Sequence, residues 1–258
     1  SIGFLPNNNG YTDAGVFATN TAKTINTVGG GAGSMQRPDG KYVIIKGGAA
    51  NATDIYDPIT NTTVQGPSLL NSGNVIAKLI QRPDGKFLYI AGGLATNIYD
   101  PIANTVIQGP NLTDSGASIG VHSILRPDGK FLIIEAGGTA STSVYDPIAN
   151  TMAIGTPLNF VAGIGAHSIQ RPDGKFLIIS GGNTANTSLY DPVSFQMFSG
   201  PTTTANVNTT GAFSLQRPDG KFLIVHGGGL DSTSLYDPIA NTMTSGPTLI
   251  QTMTTGAN

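Results

Sequence analysis

Residues 169–192 read IQRPDGKFLIISGGNTANTSLYDP, and this stretch decides the fold. Apolar residues lead up to Arg171, where Pro172 supplies a φ near −65° and Gly174 a positive φ, so RPDG closes a tight hairpin. The run KFLII that follows is almost continuously apolar, which marks a strand covered on both faces. Gly181 and Gly182 end it. TSLY is a third short strand, Asp191 and Pro192 open another turn, and the segment beyond, reading TM and then GP in other copies, is a fourth.

The phrase recurs. Its arginines are Arg37, Arg82, Arg126, Arg171 and Arg217, spaced by 45, 44, 45 and 46 residues. YDP keeps step at Tyr56, Tyr99, Tyr145, Tyr190 and Tyr236, and a glycine pair begins at Gly47, Gly92, Gly137, Gly181 and Gly227. Four antiparallel strands in about 45 residues, bounded by turns and repeated, describe the blade of an all-β propeller. A single domain over residues 1–258 is expected, with complete repeats over about 30–249. Tyr11 lies 26 residues before Arg37, as Tyr56 does before Arg82, and the closing TTGAN matches TTGAF at Thr209. Joining the ends yields a sixth unit short by about twelve residues, so residues 1–29 and 250–258 are expected to form a closing partial blade. Five blades with extra terminal strands, or a piece of a longer repeat protein, are the alternatives.

The order DGK, aliphatic run, GG, YDP, NT and a small-Pro segment resembles the kelch repeat over about residues 30–250. One departure stands out. Kelch repeats carry Trp seven places after the Tyr, whereas Thr63, Val106, Met152, Met197 and Met243 stand there, so packing between blades must use smaller or softer side chains. The resemblance implies a propeller in which a His followed by Ser is a packed, hydrogen-bonded residue. The copper radical oxidases that resemble this fold need a Tyr bonded to Cys, and the chain has no Cys; RPDGK also does not match the Ser-x-Asp turns of sialidase-like propellers.

A net charge of −2, with only 11% charged residues, gives no clustered basic surface for nucleic acid or an anionic membrane. No apolar run reaches the length of a membrane-spanning helix. The chain begins with Ser1, which suggests a removed leader or a trimmed record. Asn51, Asn61, Asn111, Asn186 and Asn208 open N-x-S/T triplets that would carry glycans on a secretory route.

Of 13 Lys and Arg, ten belong to the five RPDGK copies, leaving Lys23, Lys46 and Lys78; of 15 acids, ten belong to PDG and YDP, leaving Asp13, Asp54, Asp114, Glu135 and Asp231. Five equivalent copies do not converge on one point as a catalytic site requires, so RPDGK reads as scaffold, a hairpin with a solvated rim. The irregular residues fall at two repeat positions. Four places before each Arg stand Gly33, Lys78, His122, His167 and Phe213; nine after it stand Lys46, Ala91, Glu135, Ser180 and His226. The first position lies on the innermost strand and the second just before the glycine pair; both vary while the frame stays fixed, so Lys46, Lys78, His122, Glu135, His167, Phe213 and His226 are candidate binding residues of the channel or one face. His122 and His167 are weak candidates for a shared Zn or Cu, with Glu135 or His226 as third ligand. Asp54, Asp114 and Asp231 would serve acid–base chemistry only if two of them meet. No cofactor is expected.

The expected function is a non-enzymatic structural or binding propeller that is extracellular (secreted), on a cell surface or part of a virion. It would present loops to a protein or glycan, or pack into a lattice or fibre. The alternatives are a carbohydrate-active or metal-dependent enzyme with its site at the propeller mouth, and an intracellular kelch-type adaptor.

Overall fold

The computed structural model of the chain describes residues 32–46, 51–71, 78–114, 120–208 and 211–251. They form five four-stranded antiparallel sheets, each joined in simple sequence order, and contain no helix. Blade I is β1 (Gly33–Gln36), β2 (Tyr42–Ile45), β3 (Thr53–Asp57) and β4 (Thr62–Gln65). Blade II is β5 (Lys78–Gln81), β6 (Phe87–Ile90), β7 (Thr96–Asp100) and β8 (Thr105–Gln108). Blade III is β9 (His122–Leu125), β10 (Phe131–Ile134), β11 (Thr142–Asp146) and β12 (Thr151–Ile154). Blade IV is β13 (His167–Gln170), β14 (Phe176–Ile179), β15 (Thr187–Asp191) and β16 (Gln196–Ser199). Blade V is β17 (Phe213–Gln216), β18 (Phe222–Val225), β19 (Thr233–Asp237) and β20 (Thr242–Ser245). The molecule is a β-propeller, as the repeat predicts.

Each RPDG segment makes the expected hairpin. In blade IV the Gly174 N–H donates to the Arg171 carbonyl at 3.0 Å, and Arg171 N–H to the Lys175 carbonyl at 2.8 Å. Gly174 sits at φ +81°, the left-handed residue that ends a three-residue loop and that a side chain would strain. The second turn, after YDP, is held by the Asp: Asp146 Oδ1 accepts from the Ile148 and Ala149 amides at 3.0 Å each, an Asx turn that ends in Asn150 at φ +55°.

The second strands, such as FLII of β10 and β14, are buried on both faces, while the fourth strands are largely exposed. Four apolar clusters lie between successive blades, each combining aliphatic residues of one blade with the Tyr and second strand of the next. Val106, Met152, Met197 and Met243, which stand where a kelch Trp is expected, pack against these clusters. The flexible thioether fills irregular space that an indole would fill rigidly.

A correction concerns the rim. The Lys and Asp of RPDGK are solvated and the Lys bridges the YDP carboxylate, as Lys86 does to Asp100 at 3.0 Å. The Arg does something else. Arg82 Nη1 donates to Tyr145 Oη and Asn150 Oδ1 of the next blade, both at 2.5 Å. Arg37 does the same with Tyr99 and Asn104, and Arg171 with Tyr236 and Asn241. These planar guanidinium forks latch blade to blade, and they are only 9–11% exposed.

Blade IV departs from the pattern, with Phe195 where the others have Asn. Phe195 is held at φ +60°, an unfavourable backbone for an aromatic residue, and Arg126 stacks on its ring at 3.7 Å in a cation–π contact. Arg217 is 40% exposed and, among the described residues, meets Asp219 but no tyrosine. Leu215 beside it is 43% exposed, although its counterparts Met35, Ile80, Ile124 and Ile169 are 6% or less. That open flank is where a sixth blade would dock; apart from Ile250 and Gln251, the residues expected to build it (1–29 and 250–258) lie outside the described ones.

Candidate functional site

The hairpins and Asx turns share one end of each blade, so the glycine pairs and the first residue of every first strand share the other. The opening strands of blades I and II contact each other, and His167 of blade IV reaches Ser214 of blade V. First strands therefore line the inner side. Lys78, His122, His167 and Phe213 each begin one of them, which places the four on one arc across blades II to V, as the repeat register predicts.

A local device orients each imidazole. His122 Nδ1 lies 2.8 Å from the Gly120 carbonyl, and His167 Nδ1 lies 2.9 Å from that of Gly165. A carbonyl only accepts, so Nδ1 carries the proton and a neutral ring presents Nε2 as a bare acceptor. Gly120 and Gly165 allow the approach: at φ +108° and +83°, a Cβ on either would strike a neighbouring backbone oxygen, at 2.7 and 2.3 Å. The G-x-H spacing in GVH and GAH was the available sequence signal, and sequence reasoning passed over it.

Burial holds both rings neutral. It pushes His122 down to about 4, with the Gly120 carbonyl opposing the shift and the Lys78 ammonium, and His167 when protonated, adding to it. Burial lowers His167 as well. His167 Nε2 accepts from Ser214 Oγ at 2.7 Å. His122 Nε2 is closed off from water and has no hydrogen-bond partner among the described residues. Beside the His167 and Ser214 pair lies an open cavity of about 750 Å³ lined by His167, Ser168, Phe213, Ser214 and Gln216 and reaching Arg171 at the hairpin end.

The other repeat position behaves differently. Lys46, Glu135 and His226 are fully buried and turn into their own blades. Each meets the second residue of the third strand. Lys46 bridges Asp54, Ser143 Oγ donates to Glu135 at 2.5 Å, and His226 Nε2 lies 2.8 Å from Ser234 Oγ. That third-strand residue also ties blades together, for Thr113, Asn159 and Thr204 of one blade donate their amides to Ser143, Ser188 and Ser234 of the next. These three candidates open on no face. Burial raises the Glu135 carboxyl, with nearby Asp114 adding to the shift, and lowers His226.

The acid pair that forms is therefore Glu135 with Asp114, which accepts from Ser141 Oγ at 2.5 Å. Asp54 is spent on Lys46 and Asp231 is exposed. Neither Glu135 nor His226 joins the two channel histidines. Among the described residues no three His, Cys, Asp or Glu side chains gather to hold a metal, and two imidazoles alone are an incomplete set for Zn or Cu. Of the triplet asparagines, Asn51, Asn61 and Asn111 are exposed while Asn186 and Asn208 are partly buried. Among the described residues no helix is long and apolar enough to cross a membrane.

No family model matches the chain, and neither does any curated protein. Solved structures are similar in fold. A fungal alcohol oxidase of the AA5 family, in complex with copper, superposes with a TM-score of 0.64 and 17% identity over 86% of this chain and 54% of its own. Hydrazine synthase of Kuenenia stuttgartiensis superposes with a TM-score of 0.54 and 14% identity over 80% of this chain and 64% of its own. The chain spans about half the length of the oxidase, and the likeness is one of fold.

Proposed function

We propose that the protein is a non-enzymatic binding propeller of kelch-like repeats, exposed outside the cell, on a cell surface or on a virion, and that its ligand is a glycan or a glycosylated protein. The carrying observation is the division of labour between the two ends of the blades. The repeated charges are consumed by latches and bridges at the hairpin end, whereas the side chains that differ from blade to blade and remain on the inner wall stand at the other. Low charge and Thr- and Asn-rich loops suit an exposed module, and fold alone does not select a function. In a glycan-array experiment, saturable retention of an oligosaccharide that is recovered chemically unchanged supports the reading. Turnover of the bound sugar overturns it.

One observation favours a second, enzymatic reading. Ser214, His167 and the Gly165 carbonyl stand as nucleophile, base and orienting group beside a cavity. Labelling of Ser214 by a fluorophosphonate, lost in His167→Gln, would establish it; an unlabelled protein excludes it.

A further inference from the structure

The ion pairs of the molecule single out one residue. Twelve Lys and Arg fall among the described residues, and eleven of them have a carboxylate within 4.0 Å. The exception is Lys78. It is half-buried, no described side chain bonds to it, and burial alone lowers its affinity for a proton. An ammonium withdrawn from water without an anion is costly, and here it stands on the same inner arc as the cavity of blades IV and V. Along that arc the wall changes from cationic Lys78 through neutral His122 and His167 to the apolar ring of Phe213.

The hydrogen bonds add a polarity. Ser214 spends its only proton on His167 Nε2, so towards the cavity its oxygen can only accept. A ligand there must bring donors, as hydroxyl groups do. Phe213 lines the same cavity and offers a flat apolar face of the kind that packs on the C–H side of a sugar ring.

We propose that the inner end of blades II to V, away from the RPDG hairpins, binds a uronate-containing saccharide. Lys78 takes the carboxylate, Ser214 accepts a ring hydroxyl, and Phe213 packs on the ring face. This assignment rests on the binding reading above and specifies its ligand. His122 and His167, being neutral, add no second charge, so Lys78 is the one cationic point of this arc and engages a single carboxylate of the saccharide.

Isothermal titration of the full chain with trigalacturonate, its neutral parent galactotriose and sodium sulfate tests the proposal. The expected result is at least tenfold tighter binding of the uronate than of the neutral sugar. Lys78→Met should remove that preference and Phe213→Ala should weaken both sugars, with thermal melting showing both variants folded. Equal affinity for the two sugars, or a preference that survives Lys78→Met, overturns the acidic ligand while leaving glycan binding standing. Sulfate that matches trigalacturonate reduces the site to an anion hole and also overturns it. Failure of every sugar to bind overturns it too, and array retention of the same protein would then move the glycan contact to the outer loops.

Discussion

At the hairpin end three of the five arginines perform the same task with the same side chains; at the glycine-pair end the side chains change from blade to blade, blades III and IV sharing a His at the start of the first strand but not the residue after the second. Arg82, Tyr145 and Asn150 form one latch, and the Arg37 and Arg171 latches repeat it atom for atom. Opposite them, the residue after each second strand is Lys46, Ala91, Glu135, Ser180 or His226, and the first residue of each first strand runs from Gly33 to Phe213. The difference does not divide simply into scaffold and function. Half of the variable end is scaffold too, since the buried pairs Lys46–Asp54, Glu135–Ser143 and His226–Ser234 solve one packing problem with different chemistry. Of the variable positions among the described residues, those of the inner arc include the pair, His167 and Phe213, that lines an open cavity.

The sharpest way to break this comparison is Lys46→Met, which leaves the buried Asp54 carboxylate without its ammonium. A loss of about 3–5 kcal/mol is expected in urea unfolding, largely recovered by adding Asp54→Leu. A null result would make Lys46 a surface residue in practice. Arg82→Ala, which removes a nearly buried latch, should cost about 2–4 kcal/mol. The same change at the exposed Arg217, tested in parallel, should cost under about 1 kcal/mol.

His122 supplies a pH signature. Its folded-state pKa of about 4 lies below the ordinary value of 6.5, so protonation favours the unfolded chain. Stability is full above about pH 6.5 and falls as the pH drops towards 4, by up to about 3 kcal/mol. Unfolding at pH 7 and pH 4.5 should show the slope, and His122→Gln should flatten it. His167 and Lys78 are the charged or titratable groups that face this ring.

Phe195→Asn should restore the latch that blade IV lacks. Asn tolerates the left-handed backbone and would offer Arg126 an acceptor, so a gain of about 0.5–1.5 kcal/mol is expected in the same assay. A loss would mean that the stack of Arg126 on the ring outweighs backbone strain. Smallest of all, Lys86→Ala at an exposed bridge should change stability by under about 0.5 kcal/mol.

Much of this was legible in residue order, because turns are local. RPDG and YDP fix hairpins through Pro, Gly and Asp within four or five residues, and the aliphatic run between them announces a strand covered on both faces. The arc of Lys78, His122, His167 and Phe213 was legible for a related reason: equal places in a repeat become equal places in a ring. The latch was not, since Arg82 and Tyr145 stand 63 residues apart and nothing local distinguishes an arginine that crosses to the next blade from one that faces water. The inward turn of Lys46, Glu135 and His226 was hidden as well, because it depends on the second residue of a later strand.

Sequence alone thus determined the repeat, the strands, the turns and which positions vary, for each of these follows from periodicity and backbone preference over short distances. Tertiary structure alone decided which variable residues are spent on packing, that arginines bind blade to blade, and that Lys78 meets no acid among the described residues. Those outcomes depend on which side chains different blades bring within hydrogen-bonding distance, and burial sets the energetic consequence.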